Sequence, residues 1–381
     1  MKDSTRVIRA TLSEAVDGEP LHAGPVFAAP FYAAGDASAT KYTYARAHNP
    51  TWTHLEQAIA GLESRDGGAG VRVFASGLAA VAAVFGAVLR SGDTVVIQNG
   101  TYFAGRQLLD ELFAPMGVRV RGVAGRELLQ PEVVDGARLV WVETPSNPEL
   151  DITDIAAVAR VAKAAGALVA VDNTTATPLG QKPLELGADL SVCSDSKSMC
   201  GHSDLLMGHV ATRDAELLER LDRQRTLTGG VVGPMEAWLA LRSLATLPLR
   251  LERSSANALA VAEFLAGRDE VSGVLYPGLK TQPGHAVAAA QMSYFGAVLG
   301  FTLESRDAAE RFLSSAQLIT EATSFGGVST SAERRGRWGH DAIAPGFIRM
   351  SAGCEDIGDL LADMEQALDS VAGTHSSQSA R

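Results

Sequence analysis

At 381 residues, with 46% apolar and 20% charged side chains, the chain is long enough for two or three domains and reads as globular, not fibrous or disordered. Its 33 basic and 44 acidic residues leave a net charge of −11, which argues against nucleic acid or an anionic membrane as the main partner. Three cysteines, no run of about 18 apolar residues and a polar start at Met1-Lys-Asp-Ser-Thr-Arg6 argue against a disulfide scaffold, a membrane span and a secretory signal, and favour a reducing cytoplasm.

Residues 1–50 show no helical period and are punctuated by Gly24-Pro25, Ala29-Pro30 and Gly35, so an extended arm is expected. Its apolar residues Val26, Phe27, Phe31 and Tyr32 predict that it lies on another subunit. Thr53-His-Leu-Glu56 fits a capping box for a helix carrying Leu55, Ile59 and Leu62. Strands are expected at 71–74, 94–97, 119–123, 139–143, 168–172, 189–193 and 206–211. Helical patterns at 76–89, 107–113 and 155–165 separate several of them. That alternation predicts an α/β fold over 51–244, a mostly parallel sheet with helices on both faces. From Asp214 the pattern turns helical, at 215–227, 234–244 and 249–265. Strands at 274–276, 297–303 and 347–351, with helices at 308–313 and 357–371, predict a smaller α/β domain over 245–372. Residues 373–381 are polar and expected to be a disordered tail.

The candidate chemistry centres on Ser194-Asp-Ser-Lys197. Lys197 follows an apolar strand and sits among Ser194, Ser196, Ser198, Gly201 and Ser203. A lysine at the end of a core strand is partly desolvated, which lowers its pKa and makes its amine a nucleophile. The surrounding hydroxyls suit an anion, so lysine and hydroxyls together suggest a pyridoxal-phosphate Schiff base. A solvated surface lysine is the competing reading. Asp172 ends a purely apolar strand and needs a partner or a role. It fits either a helix N-cap or a carboxylate beside a pyridine nitrogen. Ser76-Gly77-Leu78 opens a helix after a strand, where backbone N–H groups can hold phosphate.

Val171-Asp-Asn-Thr-Thr-Ala-Thr-Pro178, Pro183-Leu-Glu-Leu-Gly-Ala-Asp189, Ser194-Asp-Ser-Lys197 and Gly201-His-Ser-Asp204 occur in that order. The block resembles the signature of the Cys/Met-metabolism pyridoxal-phosphate enzymes, and most closely their actinobacterial cystathionine γ-lyase-like branch. The likeness extends from about Thr5 to about Leu368. It implies a fold-type I (aspartate aminotransferase-like) enzyme with pyridoxal 5'-phosphate on Lys197. It also implies Asp172 on the ring nitrogen, and Gly77, Leu78, Ser194 and Ser196 around the phosphate. Tyr102 would stack on the ring and serve as a second catalytic group. Tyr44 and Arg46, before Asn49-Pro50-Thr51, would complete the phosphate site of a neighbour in a homotetramer. Arg349 would bind the substrate carboxylate, helped by Asn147 and Ser324. Arg106 would bind the distal end, although it stands one position earlier than the family pattern places it. Thr323 replaces a glutamate common in γ-lyases, and Ala104 replaces the cysteine of methionine γ-lyases.

The implied activity is α,γ-elimination of L-cystathionine to L-cysteine, 2-oxobutanoate and ammonia. The alternatives are γ-replacement as in cystathionine γ-synthase, methionine γ-lyase or cystathionine β-lyase activity, or a catalytically silent scaffold. A Ser-x-x-Lys hydrolase at Ser194 and Lys197 is disfavoured, because Ser203-Asp204 is not followed by Asn and no Lys-Thr-Gly occurs. A metal site from Cys193, Cys200, His202 and His209 is also disfavoured, because their spacing fits no compact zinc pattern and none is expected.

Overall fold

The computed structural model describes residues 1–339 and 343–372, so the polar tail 373–381 lies outside the described residues. Seven short strands, most of them apolar, form one sheet: β1 (Gly70–Phe74), β2 (Thr94–Gln98), β3 (Arg119–Val123), β4 (Leu139–Glu143), β5 (Leu168–Asp172), β6 (Leu190–Cys193) and β7 (Gly208–Thr212). Their order is β1-β7-β6-β5-β4-β2-β3. β7 runs antiparallel to both its neighbours, and the other pairs are parallel. Strands β2, β4, β6 and β7 are buried at every position, as a sheet covered on both faces requires. Strand alternation sends successive side chains to opposite layers. Leu139 and Trp141 join Phe85 and Val84 of helix Gly77–Val88 on one face. Val140 and Val142 join Val158 of helix Ile155–Ala164 on the other.

This topology places the carboxyl ends of β1, β2, β4, β5 and β6 on one edge. In open α/β sheets the crevice outside that edge is where ligands bind. Ser76, Asn99 to Tyr102, Thr144 to Asn147, Asp172, and Ser194 to Lys197 all follow those ends.

A second sheet contains β8 (Val271–Leu275), β9 (Val298–Leu303), β10 (Thr320–Glu321), β11 (Ser331–Arg334) and β12 (Phe347–Ser351), in the order β10-β11-β12-β9-β8. Helix Leu247–Ala266 joins the two layers. Its start packs Leu247 and Leu251 into the core beside the first sheet, and its later turns pack Ala258, Val261 and Leu265 beside the second.

The structure departs from the sequence-based expectations at several places. The arm is not wholly extended, because Asp3–Ala10 is a helix that buries only Val7. Asp3 fixes that helix by an ion pair to Arg65 at 3.0 Å, a contact 62 residues away that no local pattern reveals. The helix expected to open at a Thr53 capping box starts one turn earlier. Asn49 is its N-cap, accepting from Thr51 N–H at 2.9 Å, with Pro50 at the first position. The helix expected at 107–113 begins at Phe103, and its Leu109–Phe113 turn is π-wound. Strand β7 starts at Gly208, leaving Leu206 exposed. Helix His285–Gln291 and strands β10 and β11 were not expected. β11 reads as a polar loop because Glu333 and Arg334 occupy buried positions in it.

Candidate active site

β6 ends at Cys193 and the chain turns tightly, with Lys197 N–H donating to Ser194 O at 3.2 Å and Gly201 N–H to Lys197 O at 2.8 Å. Lys197 is partly buried. Its Nζ donates to Ser324 Oγ at 2.6 Å and lies 5.3 Å from the Phe325 ring centre. Burial lowers its pKa, the charge of Arg349 pushes the same way, and Glu333 pulls only partly back, leaving it at about 8. About half of the amine is thus available as a neutral nucleophile near pH 8. The hydrogen bond goes to Ser324 and not to Ser194, which removes the geometric basis for the Ser-x-x-Lys hydrolase reading.

Asp172, at the end of β5, is buried, and Thr174 donates to its Oδ1 through both N–H (3.1 Å) and hydroxyl. This is a local Asp-Asn-Thr turn and not the helix N-cap weighed from the sequence, because the next helix starts only at Thr177 with Ala176 before it. No described hydrogen bond engages Oδ2, so the carboxylate keeps capacity for a ligand. Burial raises its pKa, and the Thr174 hydrogen bonds oppose the rise. Glu143 ends β4 directly beside it in register and was not singled out from the sequence. Burial and then the Asp172 charge push Glu143 well above the usual carboxylate range. Its Oε2 accepts the Tyr102 N–H at 2.5 Å, which ties the half-exposed Tyr102 to the end of β4.

The Ser76 hydroxyl oxygen caps the helix, accepting from Ala79 N–H at 3.0 Å, and its own proton can still be donated to a ligand. The first intrahelical bond is Ala80 N–H to Ser76 O, so the Gly77 and Leu78 N–H groups precede it and face outward from the helix start. A Cβ on residue 77 would lie 2.5 Å from Ser194 Cβ, so only glycine lets this helix press against the Lys197 turn. Ser194 N–H donates to Thr174 Oγ1 at 2.8 Å. The Ser196 hydroxyl exchanges hydrogen bonds with Met207 O (3.2 Å) and N–H (2.9 Å), so it would have to rotate to donate to a phosphate.

Arg349 on β12 is buried, with Nη1 donating to Asn147 Oδ1 at 2.8 Å and Nη2 to Ser324 O at 2.9 Å and to Glu333. An internal ion pair therefore exists, and it coexists with contact to both expected helpers. Glu333 also accepts from Arg335 Nη1 (2.9 Å), Arg337 Nη2 (3.0 Å) and Trp338 Nε1 (3.0 Å), and more weakly from Thr323 Oγ1 at 3.4 Å. Burial alone would raise Glu333, but Arg349 and these donors overcome it and hold the carboxyl below its ordinary value. Sequence reasoning missed Glu333. The only signal was a carboxylate two residues after Ser331 on an unrecognised strand.

Arg106 pairs with Asp110 at 2.7 Å and lines a cavity of about 380 Å³ together with Asn147, Asn99, Phe103 and Glu149. Despite its shifted position it therefore shares a cavity with Asn147, which touches Arg349. Tyr44 and Arg46 are exposed and lie elsewhere. Arg46 donates to Thr226 O at 2.9 Å and stands 5.8 Å from the Tyr44 ring centre.

A desolvated lysine, a buried aspartate and a helix start that only glycine permits converge on the carboxyl edge of a mostly parallel sheet. That combination fits pyridoxal phosphate and defines an enzyme of the aspartate aminotransferase-like class. The description "Cys/Met metabolism PLP-dependent enzyme" matches residues 13–369, and the chain belongs to that family. Its cofactor is pyridoxal phosphate. A Streptomyces coelicolor protein bearing the name "Putative cystathionine gamma-lyase" is 53% identical over 96% of this chain and 93% of its own. Cystathionine γ-synthase of Mycobacterium tuberculosis is 40% identical over 90% and 91%. Cystathionine γ-synthase of Xanthomonas oryzae, solved in complex with cystathionine, superposes with a TM-score of 0.93 at 36% identity, over 98% of this chain and 99% of that one. The chain is thus a pyridoxal-phosphate enzyme of sulfur amino-acid metabolism. Among the described residues, no helix is long and apolar enough to cross a membrane.

Proposed function

We propose that the protein is a cystathionine γ-lyase, converting L-cystathionine and water to L-cysteine, 2-oxobutanoate and ammonia. The observation that carries this is continuity between the two ends of the site. Lys197 and Arg349 meet at Ser324, and Asn147 links Arg349 to the cavity that Arg106 lines. A substrate with an amino-acid group at one end and a second polar group at the other fits that layout.

In this reading Arg349 and Asn147 hold the α-carboxylate of the reacting half, because a guanidinium matches a carboxylate in two parallel hydrogen bonds. Bound pyridoxal phosphate supplies an electron sink next to the substrate nitrogen. Asp172 would hold the ring nitrogen's proton, Gly77 and Leu78 the phosphate, and Lys197 the aldehyde carbon. Lys197 moves the proton at Cα, for which an amine with a pKa of about 8 is well matched. Tyr102, fixed through its N–H to Glu143, handles the proton at the leaving sulfur. Arg106 takes the distal carboxylate. With an O-acyl-homoserine and a thiol the same groups would support γ-replacement. The 40% identity to a γ-synthase favours keeping that as the second reading.

We further assign residues 1–50 as an arm, 51–244 as the cofactor domain and 245–372 as the small domain. Tyr44 and Arg46 would complete the site of a neighbouring subunit in a homotetramer. The exposure of Tyr44, Arg46 and the arm residues Phe27 and Tyr32 supports this. The buried free thiols Cys193 and Cys200 fit a cytoplasmic enzyme. Mixing Lys197→Ala with Arg46→Ala protein tests the shared site. Activity is expected to return in the mixture, and a mixture as inactive as its parts would overturn it.

The deciding experiment is the visible spectrum of the purified protein before and after borohydride, followed by addition of L-cystathionine to untreated enzyme. A yellow band that borohydride discharges onto Lys197, with 2-oxobutanoate formed on addition, is the expected result. The same band without keto acid would move the function to γ-replacement, and no band even with added cofactor would overturn the reading.

A further inference from the structure

Two residues before Lys197, Asp195 turns into the protein interior and is fully buried. Its carboxylate accepts from His209 Nδ1 with both oxygens, at 2.7 and 2.9 Å. The other ring nitrogen, Nε2, donates to Glu63 Oε1 at 2.9 Å, and Ser191 Oγ donates to the same oxygen at 3.0 Å. Glu63 and His209 are fully buried as well. Burial alone would lower the pKa of His209, but the two carboxylates overcome it and raise the imidazole to about 10. Both ring nitrogens therefore carry protons at neutral pH, and both donate.

The three side chains come from three elements. Glu63 is the last residue of helix Pro50–Glu63, whose N-cap Asn49 lies three residues after Arg46. His209 sits in the antiparallel strand β7, paired with Cys193 on one side and Val73 on the other. Asp195 is in the turn between Ser194, which faces Gly77, and Ser196, which is held by Met207. The ring thus fastens the Lys197 turn to the sheet and to the helix behind it.

Neither stability nor metal binding accounts for this arrangement well. A buried ion group is weak at stabilising a fold compared with apolar side chains of the same volume, and in some proteins it specifies geometry instead. Donor atoms of Glu63, Cys193 and His209 lie within 4.8 Å of one another. However, both nitrogens of His209 are already engaged, and burial followed by the Glu63 and Asp195 charges keeps the Cys193 thiol protonated, where a metal needs thiolate. Cys200 and His202, weighed with them from the sequence, do not join this group.

We propose that Glu63, His209 and Asp195 form a buried charged clasp that positions the turn carrying Ser194, Ser196 and Lys197 over the sheet edge. The inference rests on Lys197 being the lysine that bears the cofactor. The three are positioning residues, acting on the reaction only through that turn.

The test uses the cofactor-loaded enzyme with Asp195→Asn, which keeps size and an acceptor oxygen, and Asp195→Ala. For each, kcat, KM, the visible circular dichroism per bound cofactor, metal content and Tm are measured. Asp195→Asn is expected to lower kcat about tenfold, since small misplacements of a reacting group cost one to two decades. KM should stay within about twofold, and the visible dichroism should weaken because the cofactor is held less rigidly. Asp195→Ala should go further in the same direction. Wild-type kcat and dichroism in Asp195→Asn, whatever its Tm, would overturn the proposal even if Asp195→Ala fails to fold. A stoichiometric metal in the wild-type protein would overturn it too. Wild-type enzyme without a visible band would instead break the assignment of Lys197 on which it rests.

Discussion

A partly buried lysine and a buried arginine reach Ser324 from different sheets, and the protein surrounds them in opposite ways. Lys197 arrives from the turn after β6 with one hydrogen bond, to a neutral hydroxyl. Arg349 arrives from β12 with acceptors on both terminal nitrogens, one of them the ionised Glu333. Burial, and then the charge of Arg349, discourage a proton on the lysine and pull the amine down to about 8. The acceptors around Arg349 compensate its charge in place. A proton-transfer group must be able to lose its proton, whereas a carboxylate receptor must not. Under the proposed function, the contrast would keep a reactive amine and a permanent cation side by side in one site.

Four experiments press on that contrast. Lys197→Ala should have the largest effect, lowering kcat by roughly 10³-fold or more, since it removes the proton-transfer group altogether. Borohydride should then fix no cofactor to the chain, and retained turnover would break the assignment. Arg349→Lys keeps the charge but loses the fork. It should lower kcat/KM by about 10²-fold, mainly through KM, because lysine cannot make the bidentate match. An effect on kcat alone would mean that Arg349 is not the carboxylate receptor.

Glu333→Gln should raise KM roughly tenfold with little change in kcat, because one charge-assisted hydrogen bond to Arg349 is weakened. It should also lower the Lys197 pKa further, since Glu333 is the group that pulls it upward. The smallest effect is a titration in the wild-type protein. Below its pKa Lys197 is an ammonium and unreactive, and above it a free amine. Acylation of Lys197 in protein stripped of cofactor should therefore rise with pH through a midpoint at about 8. A midpoint near the ordinary lysine value of 10.5 would show that burial does not act on this amine as described.

Much of the Lys197 half was legible in the chain, because its features are local. An apolar strand closing on Ser194-Asp-Ser-Lys197, an aspartate ending another such strand, and Ser76 capping a helix all follow from side-chain period and capping chemistry within a few residues. The Arg349 half was legible only through the family resemblance, which grouped Arg349 with Asn147 and Ser324 but gave no sign of Glu333. Its compensating carboxylate, Glu333, lies on β11, a strand that looks polar because Glu333 and Arg334 are each paired with charges from outside it.

The α/β alternation and the mostly parallel sheet were thus determined by the sequence itself, since hydrophobic period is a short-range property, and the candidate lysine stood out through the motif that surrounds it. The tertiary structure alone decided which distant groups meet. Lys197 meets Ser324 across 127 residues, Arg349 meets Asn147 across 202, and His209 meets Glu63 across 146. Even the start of one helix was settled this way. Asn49 and Thr53 both satisfy a local capping pattern, but Asn49 also donates through Nδ2 to Val26 O at 3.0 Å in the arm. Burial and pairing act through space, so spacing along the chain cannot encode them where the partners come from separate strands and helices.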